Sequence, residues 1–269
     1  MHHRRIVSAA LAASIALPFA TARSQAPKDT TAVEPDAIAA LTKMGDYLRS
    51  LKAFQVQATV TTEDVLDDGQ KVQTASTGNL IAARPNRLRL EVTDPTRPRY
   101  FYYDGKQFTL WAPRPKFYAT VPAPATIGEL ADDLEERYDI DLPFVDLFRW
   151  GTAESNIASI TRAMDVGPSV VDGITCEQYA FRQDGADWQL WIQQGEFPLP
   201  KKMVITTLTD DARPQHSSVY TWNLAPSFND QTFAFVAPAG AHKITFAQAK
   251  AMRDSVDKRK PGGHDHENR

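Results

Sequence analysis

Apolar and polar residues change their period twice along this chain. Between positions 35 and 51, Ile38, Leu41, Gly45, Leu48 and Leu51 recur at steps of three and four. That spacing puts one apolar stripe on a helix, and Pro35 suits its first turn. From Phe54 the period becomes two: Phe54, Val56, Ala58 and Val60 alternate with Gln55, Gln57, Thr59 and Thr61. A strand is predicted there, with a turn at Asp68-Gly69 and a return through Val72, Thr74, Ser76 and Gly78. Leu88, Leu90 and Val92 form a third strand. The segment YFYYDGKQFTLWAPRPKFYATVP, Tyr100 to Pro122, adds three more. In it Tyr100 and Tyr102 take one face while Phe101 and Tyr103 take the other. Phe108 and Leu110 likewise oppose Trp111. A sheet with one wet face alternates apolar with polar residues. Here both faces are apolar, so both must be covered.

Helical spacing returns in TIGELADDLEERY, Thr126 to Tyr138, through Ile127, Leu130 and Leu134. Its opposite face is acidic, with Glu129, Asp132, Asp133, Glu135 and Glu136. The next stretch, LPFVDLFRWG, is apolar nearly all round, which predicts a second helical piece buried between layers or against something bound. From Ala163 the alternation resumes, broken by turn residues at regular spacing, as in a continuous antiparallel meander. The sum is a leading helix, roughly ten strands and a helical insertion. A sheet that wide must curl, because twist accumulates from strand to strand. Its concave face must then be filled by helices, side chains or a ligand.

The termini do not share these patterns. Residues 1–26 have the three parts of a secretory signal: Arg4 and Arg5, an apolar run from Ile6 to Leu17, and a cut after Ala22 or Ala26. The run is too short for a membrane span, and the residues after Arg4-Arg5 favour general secretion over twin-arginine export. Export to the periplasm follows. Residues 27–35 read as a flexible leader and 36–246 as a single domain with its helical insertion at about 126–162. Residues 247–269 read as a charged, partly disordered tail. The whole chain of 269 residues carries a net charge of −3. Removing Arg4, Arg5 and Arg23 makes it more acidic, which argues against a nucleic-acid partner. Cys176 is the sole cysteine, so no internal disulfide forms and the core alone must hold the fold.

Reactive chemistry is sparse. There is no G-x-S-x-G elbow, phosphate loop or dinucleotide fingerprint. His216 and His242 lack the neighbours of a catalytic base, and Cys176 reads as a small buried hydrophobe. His264 and His266 supply only two ligands on a solvated tail, and the acidic run lacks the glycine and alternation of a calcium loop. No catalytic residue, metal ligand or cofactor is therefore expected. What stands out is aromatic strand content: Trp188, Leu190 and Ile192 on one face with Trp191 on the other, and Tyr220 beside Trp222. These residues suit either a thick core or a groove for an apolar chain.

Two segments carry a resemblance: YYDGKQFTLWAPRPKFYATVPAP and VDGITCEQYAFRQDGADWQLWIQQGEFPLPKKMVI. The Asp104-Gly105 hairpin, the Val171 to Gly173 turn, the Trp188 to Ile192 strand and the Pro198 to Lys202 break resemble a family of uncharacterised, predicted periplasmic bacterial proteins. The closing segment Asn229 to Ile244 is similar to that family's last strand. The family is similar in organisation to the lipoprotein carriers LolA and LolB and the sensor RseB. The resemblance implies a mainly β (α+β) fold, a curled antiparallel sheet forming a half-open barrel around a helix, with a helical lid. It also implies a cavity for acyl chains, no cofactor and no covalent chemistry. The carriers' polar cavity residue has no evident counterpart, and LolB's N-terminal cysteine is absent. On this reading Val56, Val60, Leu88, Leu90, Tyr102, Phe108, Leu110, Phe117, Leu190 and Ile192 would line the cavity. Leu130, Leu134, Phe144 and Phe148 would form the lid's inner side. The expected role is binding or carrying an apolar ligand: a lipid, an acyl chain or a lipoprotein. The alternative is a regulatory module with a self-filled core, an envelope protein partner and the acidic helix as contact surface. An enzyme ranks last.

Overall fold

The computed structural model describes residues 32–250; the expected signal peptide, most of the leader and most of the tail lie outside them. Helix α1 (Pro35–Ser50) leads, followed by strands β1 (Ala53–Val65), β2 (Lys71–Ala83), β3 (Arg87–Thr93), β4 (Arg99–Tyr103), β5 (Gln107–Ala112) and β6 (Phe117–Pro122). Then come α2 (Ile127–Tyr138), the single turn α3 (Asp146–Arg149) and two short 3-10 turns. Strands β7 (Arg162–Val171), β8 (Ile174–Gln183), β9 (Ala186–Gln193), β10 (Pro200–Thr207) and β11 (Gln215–Asn223) complete the second half. A helical turn α4 (Asp230–Phe233) and the short β12 (His242–Lys243) close the chain.

All twelve strands join one sheet, in the order β12-β6-β5-β4-β3-β2-β1-β11-β10-β9-β8-β7. Two antiparallel meanders, β1 to β6 and β7 to β11, meet where β1 pairs with β11. The connection from β6 to β7 must therefore cross from near one edge of the sheet to the other edge. That crossing carries α2 and α3 over the hollow, so strand order makes the insertion a lid. Threonine 126 caps α2 in a reciprocal box with Glu129, satisfying two otherwise orphaned N–H groups. The second helical piece is shorter than its apolar pattern predicts. Phe144 adopts a left-handed backbone (φ 63°), which delays α3 to Asp146. The end of the expected leader is also tied down. Ala163 N–H donates to the Ala32 carbonyl (2.9 Å), and Glu34 N–H donates to the Ala163 carbonyl (3.0 Å), on the edge strand β7.

The register answers the question raised by the doubly apolar strands. Phe101 pairs with Leu110 and Tyr103 with Phe108, which puts these four on the concave side. Tyr100, Tyr102, Trp111 and Tyr118 then face outward. The returning C-terminal segment covers them: the Phe235 ring lies 5.4 Å from Tyr102, 6.0 Å from Trp111 and 5.0 Å from Tyr118. The chain next adds β12 parallel to β6 and delivers Phe246 to the inner face, 6.1 Å from Phe108 and 4.9 Å from Tyr138.

The concave side holds two clusters. One packs α2 and α3 on strands β1 to β6; the other packs α1 on β7 to β10 through Phe181, Trp188 and Leu190. Their helical layers touch backbone to backbone. A Cβ on Gly45 of α1 would lie 2.5 Å from Gly151 N, and one on Gly151 would lie 2.6 Å from the Gly45 carbonyl carbon. Alanine at 45 should gain about 1 kcal/mol of helix propensity yet lose about 1–3 kcal/mol to overpacking against a backbone that has no rotamer to yield. Net destabilisation of Gly45→Ala in urea is expected; a more stable variant would mean that α1 and the lid do not approach so closely.

Candidate functional site

Between the two clusters, at the β1–β11 seam, the side chains leave a hollow of about 250 Å³. Its walls come from both halves of the sheet: Val60 and Gly78 on one side, Leu190, Met203 and Ile205 on the other, Tyr220 between. The roof is Phe144, Leu147 and Trp150 from the lid. Phe144 is the tightest element. A Cβ on Gly78 would sit 2.4 Å from the Phe144 ring, so the aromatic rests on bare backbone where only glycine leaves room. The ring also stands edge-on to Tyr220, centroids 6.4 Å apart. Its left-handed backbone costs a non-glycine residue about 1–2 kcal/mol, offset by burying the ring. Arg149 fastens the lid to itself, donating to Asp132 (2.9 Å) and Glu135 (3.2 Å) of α2.

One end of the hollow is polar. Asp146, at the start of α3, faces His216, Ser218 and Tyr220 of β11. Asp146 is exposed, and it borders both the hollow and an adjoining depression of about 180 Å³ bearing Arg149, Glu154 and Gln183. Partial desolvation by neighbouring protein pushes its carboxyl up from the ordinary value, against the opposing pull of Arg149 and His216. Burial pushes the Tyr220 hydroxyl up to about 12; the charge of Asp146 adds to this and a hydrogen bond with Ser218 opposes it. Burial likewise pulls the His216 imidazole down, with Asp146 opposing.

The sign of the His216 effect gives a pH prediction. The folded state disfavours the imidazolium, so as pH falls below the ordinary value of 6.5 the unfolded chain takes up the proton first. Stability contributed by neutral His216 is present above that pH and is lost from there down toward the lowered folded value. Asp146 works in the opposite sense, so a difference between variants is needed. Urea denaturation from neutral to mildly acidic pH should show His216→Gln losing less stability than wild type. Parallel profiles would place the ring in bulk water.

Asp146, His216 and Ser218 are the residue types of an acyl-transfer triad, but their geometry differs from one. His216 Nδ1 meets the Thr62 hydroxyl (3.0 Å) rather than a carboxylate, and Nε2 stands 3.4 Å from Ser218 Oγ, two residues away on the same strand. The acid does not orient the base, so serine lacks the activation that such chemistry requires. Among the described residues no His, Cys, Asp and Glu group is arranged to hold a metal ion.

The expected lining residues divide. Val60, Phe144 and Leu190 border the hollow. Val56, Leu88, Leu90, Phe108, Leu130, Leu134 and Phe148 are consumed in the first cluster, with Leu110 packed at its margin; Ile192 belongs to the second. Phe117 sits at the sheet edge against His242. Tyr102 is corrected to the outer face, since its partner across the ladder is Thr109. Sequence reasoning missed Gly78, Asp146, Met203 and Ser218. Asp146, a lone acid in an otherwise apolar segment, was the readable signal.

A family model described as a predicted periplasmic protein family (DUF2092) matches residues 37–247. No curated protein matches the chain. Among solved structures, the lipoprotein LppX of Mycobacterium tuberculosis is similar at 11% identity, over 73% of this chain and 100% of that one, with a TM-score of 0.46. A LolA superfamily protein of Nitrosomonas europaea aligns at 11% identity over 74% and 97% of the two chains, TM-score 0.37. Pseudomonas aeruginosa MucB, solved in complex with MucA, aligns at 20% identity over 74% and 61%, TM-score 0.41. Likenesses this distant carry no argument about activity.

Proposed function

This chain belongs to the DUF2092 family of predicted periplasmic proteins, and we propose that it binds or carries an apolar ligand there, a lipid or an acyl chain, free or on a lipoprotein. The observation that carries the reading is the seam hollow itself. Apolar walls from both halves of one sheet converge on a space of about 250 Å³ that neither packed cluster fills, under a roof built on a single loop crossing. Small-molecule pockets usually span about 300–1,000 Å³, so the closed form suits a short chain, and a longer one requires Phe144 to withdraw. Burial of apolar surface, at about 25 cal/mol per Å², would drive affinity before the costs of ordering are met. The role is sheltering rather than catalysis, because the one histidine in the hollow has no carboxylate to orient it.

The regulatory alternative draws on a different observation. Most of the concave face is filled by the protein's own helices. Its expected contact surface, however, is partly spent: Asp132 and Glu135 receive Arg149, and Asp133 receives Arg137 (3.0 Å). Native mass spectrometry after gentle purification, followed by titration with an uncharged apolar fluorophore, separates the two. Bound mass or saturable fluorescence supports the carrier. An empty protein that takes up no fluorophore favours a self-filled module.

A further inference from the structure

Positive charge gathers where α1 ends. Arg84 follows the last residue of β2, and its backbone N–H donates to the Lys52 carbonyl (2.8 Å). Its Nη2 reaches the Leu48 carbonyl in the last turn of α1 (3.5 Å), and its guanidinium carbon stands 5.1 Å over the Phe148 ring. Arg49, the residue after Leu48, donates to the Gly151 carbonyl, and its charge reaches Arg84. Arg49 and Lys52 are exposed, whereas Arg84 is half-buried. The Nε of Arg84 is buried without a partner, and Nη1, which is not buried, makes no hydrogen bond to the protein. Among the described residues no carboxylate lies within ion-pairing distance of Arg84 or Lys52. Asp230 is taken by Arg87, and Glu129, at the start of α2, closes its box with Thr126. Asp46 lies 3.9 Å from Arg49. A helix C-terminus supplies about half a negative charge, so part of this cluster serves α1. Arg84, Arg49 and Lys52 still hold a surplus of about one and a half positive charges. Burial, and then the charge of Arg49, push the Arg84 guanidinium below its usual value, as befits a cation short of counter-charge.

We propose that Arg84, Arg49 and Lys52 form a site for a phosphate monoester group, free or on a lipid, with Nη1 of Arg84 as its principal donor. Such a group carries about −1.5 to −2 near neutral pH, which matches the surplus, and its oxygens suit the planar guanidinium fork. A carboxylate brings only one charge and leaves the surplus incompletely met. The chain as a whole carries −3, so a general attraction for anions does not explain such binding. The site also stands apart from the seam hollow. None of its residues lines that space, and β2 runs six residues from Gly78, in the hollow wall, to Arg84, about 20 Å along the strand. Either site therefore stands or falls without the other.

Calorimetric titration of the full chain near neutral pH and at low salt should show saturable binding of inorganic phosphate, about tenfold or more tighter than acetate. Arg84→Gln should weaken phosphate about tenfold to a hundredfold, as expected for a lost charge-assisted hydrogen bond. Arg162→Gln, exposed on the far edge strand β7, should leave it unchanged. Should Arg84→Gln fail to fold, the same loss is required of Arg49→Gln, whose side chain is exposed. Co-sedimentation with phosphatidylcholine vesicles, with and without phosphatidic acid, separates the sources. Sedimentation that needs phosphatidic acid and is lost in the variant assigns the group to a lipid; phosphate binding without sedimentation assigns it to a soluble ester. Acetate binding as tightly as phosphate, or variants that bind phosphate like wild type, overturns the site. Failure of both phosphate and vesicles overturns it too, and leaves the apolar reading of the hollow untouched.

Discussion

Phe54→Ala is expected to cost about 3–5 kcal/mol of stability, the largest single loss foreseen for a point change in this chain. The side chain is fully buried at the centre of the sheet, where β1 joins the two meanders. Its ring lies 5.7 Å from Phe148 of the lid and 5.5 Å from Trp222 of β11. Removing it deletes one contact between lid and seam, through Phe148 and Trp222. The void is hard to collapse, because ladders on both sides hold β1 in place. The transfer term and the cavity term therefore add. Urea denaturation should show a lower midpoint with an unchanged slope. A loss under about 1 kcal/mol would mean that the seam repacks freely, and the rigid hollow inferred beside it would go too.

Phe144→Ala and Val60→Trp should move ligand uptake in opposite directions from two sides of one hollow. In the closed form the Phe144 ring occupies space over Gly78 that an incoming chain needs. The ring is a resident competitor whose burial is worth about 1.5–3 kcal/mol. Alanine pays a similar left-handed backbone penalty, so that term nearly cancels between the two proteins. Affinity for a cavity-sized apolar fluorophore should rise about tenfold to a hundredfold. Tryptophan at position 60 places an indole in a space of about 250 Å³, and uptake should fall to background while the fold persists. If both variants bind like wild type, the probe sits elsewhere.

Much of the architecture was legible in the chain itself. The switch from a period near 3.6 to a period of two marked α1 and the strands, and the repeated turns implied a curled sheet with helices to fill it. The doubly apolar strands at Tyr100 to Pro122 announced that a second layer must exist. They did not say that Phe235, more than a hundred positions along, would supply it. The candidate site was less legible. Residues such as Leu88, Leu90 and Phe108 carry the pattern of a cavity wall, and the same pattern describes the packed core they occupy.

The sequence by itself determined which side chains share a face, because that depends only on the alternation of neighbours along one strand. The tertiary structure alone decided which of those faces stay unfilled. That outcome depends on β6 and β7 standing near opposite edges, so that the lid must cross, and on Phe144 meeting Gly78 from another element. A hollow is a volume left over when distant segments meet. Its size follows from differences of contact distance that no local pattern encodes.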